Sequence, residues 1–317
     1  MTSDTAEHID FRAISVSVAS AFGKFPQVLA LLDTLDARFH NALDDGEPEH
    51  LMVLGESGTG KTTTLRHFCQ KHPPIERPEV TEVPVVYAEI PSKTTIKGLA
   101  GTLLQAMGSP YWNKGDQIQR THQLVTLLRA CRTRVVILDE ANHLVDRGGV
   151  RTHYHIGDWI KQLSRPGGPA LVLAGTPRAE LLLATNTQLR GRFGECFSIN
   201  PLSANGEDLG LFAKILRSFE AQLKPIECVK FGDPVIARQF AFATAGRLRA
   251  ICKLLRGAID IAAKQRHPRI DMKVLEQAFE KVLLKSAPPE RNPFSGKFNG
   301  VPLTKAGEPF APEFSRG

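Results

Sequence analysis

Eight residues, Gly55-Glu56-Ser57-Gly58-Thr59-Gly60-Lys61-Thr62, keep the spacing G-x-x-x-x-G-K-[ST]. Glycines so placed let the backbone curl until successive N–H groups point inward, which holds a phosphate at the positive end of a following helix. Lys61 then reaches the β- and γ-phosphates of a nucleotide, the Thr62 hydroxyl faces Mg²⁺, and Thr63 completes the binding set. Further on, the run Val135-Val-Ile-Leu ends in Asp139 and Glu140. The first carboxylate can hold Mg²⁺ through water and the second can polarise an attacking water. Alone, each motif has a blander reading, a glycine turn or a solvated pair of acids. Together they indicate hydrolysis of ATP with Mg²⁺, because Glu140 suits water as nucleophile and no acceptor-binding motif is visible.

Such a loop needs a strand entering it and a helix leaving it. Apolar runs bounded by turn residues predict strands at His50–Glu56, Val83–Ile90, Arg134–Glu140, Ala170–Thr176 and Glu195–Leu202. The unbroken apolar stretches at 135–138 and 171–174 suit strands covered on both faces, as in a parallel sheet. Helical patterns at Thr62–Lys71, Thr95–Met107, Gln117–Cys131 and Tyr154–Leu163 alternate with them, which is the order of a wound α/β sheet. After Leu202 four helical stretches follow: Glu207–Leu223, Pro234–Thr244, Arg247–Lys264 and Met272–Lys285. In the last, Val274, Leu275, Ala278, Phe279, Val282 and Leu283 form one stripe. The expected division is an N-terminal helical segment over 1–48, the α/β core over 49–202, an all-helical unit over 203–285 and an extended, disordered tail over 286–317. That tail holds six of 21 prolines together with Phe294, Phe298, Phe310 and Phe314, spaced as anchors for a partner.

Of 317 residues 42% are hydrophobic and 23% charged, which excludes a wholly disordered or fibrous chain. Forty Lys and Arg stand against 33 Asp and Glu, for a net +7, a balance that favours a polyanionic partner. Cys69, Cys131, Cys196, Cys228 and Cys252 are scattered and form no C-x-x-C pair, so neither a zinc site nor a disulfide framework is expected, and a reducing cytoplasm fits. No signal peptide and no membrane span are expected.

With these motifs the sequence resembles the AAA+ ATPases. GESGTGKT resembles their Walker A segment, VVILDE their Walker B segment, and ALVLAGT, closing on Thr176, their sensor 1. Leu189-Arg190-Gly191-Arg192-Phe193 resembles the arginine-finger segment, with Arg192 in register and Arg190 the alternative; Gly246-Arg247-Leu248-Arg249 resembles sensor 2, with Arg249 or Arg247 facing the nucleotide. Within that superfamily, IPSKTTIKGLAGTLLQAMGSP, LDEANHL, AGTPRAELLLATNTQLRGRF and TAGRLRAICKLL resemble the TniB or TnsC transposition regulators, relatives of the Mu B protein. The resemblance implies an AAA+ P-loop parallel sheet flanked by helices, with a small helical lid. It also implies a ring or helical filament of this chain on duplex DNA, which recruits or stimulates a DDE transposase, with a TniQ-type targeting adaptor as a further partner. By the same resemblance Lys93, Thr95 and Lys97, opening the helix after the second strand, line the DNA; Lys114, Arg147 and Arg151 are loop candidates of lower rank.

Three readings stay open beside these. Arg249, Lys253 and Arg256 fall on one helix face, for phosphates or merely for solvent; His153 and His155 suit a helix start better than a metal; and Trp112 with Tyr111 anchors a loop or stacks on a partner. The rival functions are a replication or recombination loader of the same superfamily and a nucleotide-gated protein scaffold without DNA.

Overall fold

The computed structural model describes residues 9–311, apart from 22, 24, 43–46, 94, 147–149, 164, 205, 207, 266 and 267, with backbone alone at 150–152. Two compact units are present, Pro26–Asn200 and a second formed by Met1–Phe25 with Pro201–Gly317. The expected N-terminal segment is therefore divided. Helix α1 (Phe11–Ala19), which the sequence reading did not anticipate, is capped by Asp10 and belongs to the helical unit. Helix α2 (Pro26–Asn41) belongs to the sheet unit and buries Val28, Leu31, Leu32, Leu35 and Phe39 as one stripe.

The sheet comprises β1 (Leu51–Leu54), β2 (Val85–Glu89), β3 (Val135–Asp139), β4 (Ala170–Gly175) and β5 (Glu195–Ser198). Its order is β2-β3-β4-β1-β5, and every pairing is parallel. All five strands were legible, each a residue or more shorter than the apolar run that announced it. Strands β3 and β4 are buried at every residue, as unbroken apolar runs require, whereas β5 lies at the edge and is mostly exposed. The crossovers run through α3 (Lys61–Lys71), α4 (Ile96–Ala106), α5 (Gln117–Ala130), α6 (Val150–Leu163), and the short α7 (Leu181–Ala184) and α8 (Thr187–Arg192). Local chemistry sets their starts: the Thr95 hydroxyl accepts from Gly98 N, and Asp116 with Gln119 makes a reciprocal capping box on α5. Each cap contributes about 1 kcal/mol.

The second unit adds α9 (Asp208–Gln222), α10 (Pro234–Thr244), α11 (Leu248–Ala262) and α12 (Met272–Val282), but it is not all-helical as expected, because Glu227–Cys228 pairs in parallel with Arg269–Ile270. Asp233 caps α10 with Pro234 at its first position, as the sequence predicts. Helices α11 and α12 pack closely enough that a Cβ on Gly257 would lie 2.8 Å from Val282 Cγ1. Of the expected α12 stripe, Val274, Leu275, Ala278 and Phe279 are fully buried, while Val282 and Leu283 are half-buried.

The tail departs from expectation. Between 286 and 311 it has almost no regular structure, yet Asn292, Phe294, Leu303 and Phe310 are buried. Its anchor is Arg291, whose Nη2 pairs with Glu308 Oε1 at 2.5 Å and also donates to Pro302 O, while Nη1 donates to Asn299 Oδ1 and Val301 O. Proline forbids a helix but not burial, and one guanidinium satisfies carbonyls that no ladder covers. Phe294 packs edge-on against Phe240, and Phe298 against Phe242. Pro312 and Phe314 lie outside the described residues. No helix among the described residues is long and apolar enough to cross a membrane.

Candidate functional site

The turn after β1 runs from Gly55 into α3, and close packing dictates its first residue: a Cβ on Gly55 would sit 2.4 Å from Ile199 O. Gly58 and Gly60 take φ of 84° and 106°, a region that side chains disfavour. Gly60 is the residue before α3, and it caps that helix with no side chain, the setting in which helix N–H groups are available to an anion. Lys61, only 8% exposed, donates from Nζ to Gly55 O at 2.6 Å and Glu56 O at 3.0 Å, which holds its ammonium within the curl. Thr59 Oγ1 donates to Glu56 O, and Thr64 Oγ1 donates to Gly60 O. Glu56, Ser57 and Thr63 are exposed at the rim, and Thr62 is half-buried on the first turn of α3.

Strand β3 delivers the carboxylates to the same edge. Asp139 is 1% exposed, and both of its oxygens are engaged: Oδ1 accepts from Glu140 N and Oδ2 from the Tyr87 hydroxyl, each at 2.9 Å. Burial first, then the charge of Asp139, pushes the Tyr87 phenol far up, so it stays a donor. Glu140 leaves the strand with φ 57° and ψ 41°, a left-handed conformation that turns its half-buried side chain away from the run of β3. The parallel order places β4 between β1 and β3, so the phosphate loop, Thr176 and the acid pair share the C-terminal edge of the sheet. The chain's crossovers leave β1 and β4 in opposite directions there, the position where open α/β sheets bind ligands.

Thr176 follows β4, and its N–H donates to Asn142 Oδ1 at 3.1 Å. Asn142 is 7% exposed on the single turn after Glu140, so it ties the acid pair to the end of β4; the Nδ1–H of His143 on that turn donates to Ile90 O beyond β2. Sequence reasoning missed Tyr87, Asn142 and His143. The signal for the last two was the ANH that follows the acids, but their partners are set by strand order. The donor set of Thr62 and Asp139 is hard oxygen, which fits Mg²⁺ carried by nucleotide phosphates. Among the described residues no group of three His, Cys, Asp or Glu could hold a metal ion. Burial pushes the thiols of Cys69, Cys228 and Cys252 up to about 11, away from thiolate chemistry.

Other expected residues are spread over the molecule. Arg190 is exposed on α8, while Arg192, half-buried, donates from Nη1 to Lys161 O at 3.0 Å. Arg249, Lys253 and Arg256 are all exposed on one face of α11, and the Arg247 guanidinium lies 5.0 Å from the Phe310 ring centroid within the helical unit. Lys93, Thr95 and Lys97 are exposed around the start of α4, although the Thr95 hydroxyl already serves as its cap. Lys114 is exposed in a loop whose carbonyls at Asn113, Lys114 and Gly115 all accept from Arg120; Tyr111 and Trp112 are exposed on that loop. Arg147 and Glu207 lie outside the described residues, as does the side chain of Arg151. His153 is buried and His155 exposed, both inside α6 rather than at its start.

The sequence matches no curated protein. Among solved structures, the fold is similar to Cdc6p from Pyrobaculum aerophilum, with a TM-score of 0.63 at 20% identity over 89% of this chain and 73% of that one. It is likewise similar to the Aeropyrum pernix ORC1 protein in complex with DNA, with a TM-score of 0.61 at 19% identity over 85% and 69%. The Aeropyrum pernix ORC2 protein in its ADPNP–ADP complexes follows, with a TM-score of 0.59 at 15% identity over 82% and 68%. At these identities the likeness establishes the AAA+ type of fold. The family model described as Bacterial TniB protein matches residues 14–200, more than half of the chain and all of the unit that carries the phosphate loop and the acid pair. The chain belongs to the TniB family.

Proposed function

We propose that this protein is an ATP-hydrolysing regulator of transposition that assembles on duplex DNA and recruits or stimulates a DDE transposase. The observation that carries the reading is a phosphate loop and an Asp139–Glu140 pair at one edge of a parallel sheet, in a chain of the TniB family. In this reading the loop N–H groups and Lys61 bind the β- and γ-phosphates, and Thr62 with Asp139 would hold Mg²⁺, which neutralises charge on the phosphates. Glu140 orients and polarises the attacking water. Thr176, held by Asn142, fixes the distance between that water and the phosphate loop.

Arg192 is the residue proposed to reach a neighbouring subunit, where its charge stabilises the γ-phosphoryl group in transfer. The bond from Nη1 to Lys161 O orients the guanidinium on the last turn of α8. Nucleotide then bridges two copies, so ATP favours the oligomer by its greater affinity for it. Lys93 and Lys97, with Lys114 in support, are proposed to meet DNA phosphates, contacts that give affinity without reading sequence. A net charge of +7 and a likeness in fold to a protein solved in complex with DNA support that proposal.

The test is a titration of labelled random-sequence duplex with ATP, with ADP and without nucleotide, followed by strand-transfer assays with the cognate transposase. Tight binding with ATP alone, and stimulation of the transposase, are the expected results. Preference for a primer junction or an origin sequence would favour a loader instead, and no binding at low salt would favour a scaffold.

A further inference from the structure

The Walker-type acids do not stand alone. Tyr87 and Glu89 alternate on one face of β2, which pairs with β3 so that Glu89 lies opposite Asp139 and Tyr87 opposite Ile137. Arg66 lies one turn beyond Thr62 on α3, hence on the same helix face. Its guanidinium sits 5.4 Å from the Tyr87 ring centroid, and its Nη2 is 3.5 Å from Glu89 Oε2. From Tyr87 the hydroxyl continues to Asp139 Oδ2, and Asp139 Oδ1 takes the Glu140 amide. A chain of contacts therefore joins the helix that bears Thr62 to the strand that bears Asp139.

We propose that Tyr87 is a positioning residue for the metal-holding carboxylate, itself held in place by Arg66. The inference rests on the ATPase reading above and deepens it. A carboxylate has about four lone-pair directions. With one hydrogen bond on each oxygen, two directions are taken and the plane of the group is fixed, which would leave the other two to hold the ion through water. Without the Tyr87 hydroxyl, Oδ2 loses its donor and the group rotates about its Cβ–Cγ bond. Outer partners of this kind change metal affinity by roughly tenfold to a hundredfold in other sites.

The experiment uses the full chain, Mn²⁺ as a paramagnetic probe and an imido analogue of ATP, with free Mn²⁺ read by electron paramagnetic resonance. Tyr87→Phe removes one oxygen and keeps the ring under Arg66. Its Mn²⁺ affinity in the ternary complex is expected to fall roughly tenfold or more, with analogue affinity in EDTA unchanged. Its melting temperature should fall by no more than about 5 °C relative to Tyr111→Phe, a change at an exposed ring, as the loss of one hydrogen bond allows. Arg66→Met should weaken Mn²⁺ in the same direction by a smaller factor, and the double variant should be no worse than Tyr87→Phe alone. Unaltered Mn²⁺ affinity in Tyr87→Phe, or a loss shared equally by analogue binding in EDTA and by thermal stability, would overturn the proposal. If the unaltered chain binds no nucleotide, the ATPase reading fails first and this proposal falls with it.

Discussion

At the scale of single residues, the proposed site divides into groups that would touch phosphate and groups that would aim them. In the proposed site the Lys61 ammonium, held within the loop by two carbonyls, would meet the β- and γ-phosphates, so Lys61→Ala should lower nucleotide affinity by roughly a hundredfold, the scale of charge-assisted bonds to phosphate. Equilibrium titration with a fluorescent ATP analogue measures it. Glu140→Gln keeps the shape and the backbone turn but removes the base; ATP should bind normally while turnover drops roughly a hundredfold or more. Turnover at the original rate would take Glu140 out of the mechanism. Lys61, Thr62, Asp139 and Glu140 were marked as candidates in the sequence because the spacing that marks them is local, set by neighbours within a few positions. Tyr87, Asn142 and His143 were not, since each acts through a partner brought near only by strand order. Tyr87 meets Asp139 because β2 lies beside β3, and no spacing along the chain encodes that pairing.

At the scale of elements, strands and helices could be read from apolar runs and caps, whereas the tail could not. Six prolines and no periodicity indicated an extended, disordered segment after 286. The structure instead seats 288–310 through a buried Arg291–Glu308 pair and the rings of Phe294 and Phe310. A local pattern reports the absence of a helix, but burial depends on surfaces far away in sequence. Because both partners of that pair are nearly buried, Arg291→Ala leaves Glu308 without its counter-charge and should cost about 3 kcal/mol, with faster proteolysis after Lys297 and Lys305. Chemical denaturation and limited trypsin digestion read both effects. Gly246 provides a second test of the helical unit. It has a φ of 65°, and a Cβ there would lie 1.8 Å from Leu202 O, so Gly246→Ala should lower the melting temperature by roughly 5 °C or more. A neutral outcome would mean that the turn before α11 differs from the one described.

At the scale of the whole molecule, the proposed function depends on more than one copy of the chain. In that reading a phosphate loop would bind ATP in each subunit, but a finger, the role proposed for Arg192, would act only across an interface. Arg192→Ala should therefore keep nucleotide affinity while losing both hydrolysis and ATP-dependent assembly; a defect confined to Arg190→Ala would move the finger two residues toward the N-terminus. The excess of 40 basic over 33 acidic residues predicts salt-sensitive DNA binding, because phosphate contacts release counterions. Lys93→Ala with Lys97→Ala should weaken that binding for every duplex sequence alike and leave nucleotide affinity intact. The most direct test of ATP-driven assembly on DNA is sedimentation velocity of the full chain with random-sequence duplex, in parallel with ATP and Mg²⁺, with ADP and Mg²⁺, and without nucleotide. A large protein–DNA complex that forms with ATP and disperses with ADP is the expected result. The same sedimentation profile in all three conditions would contradict it.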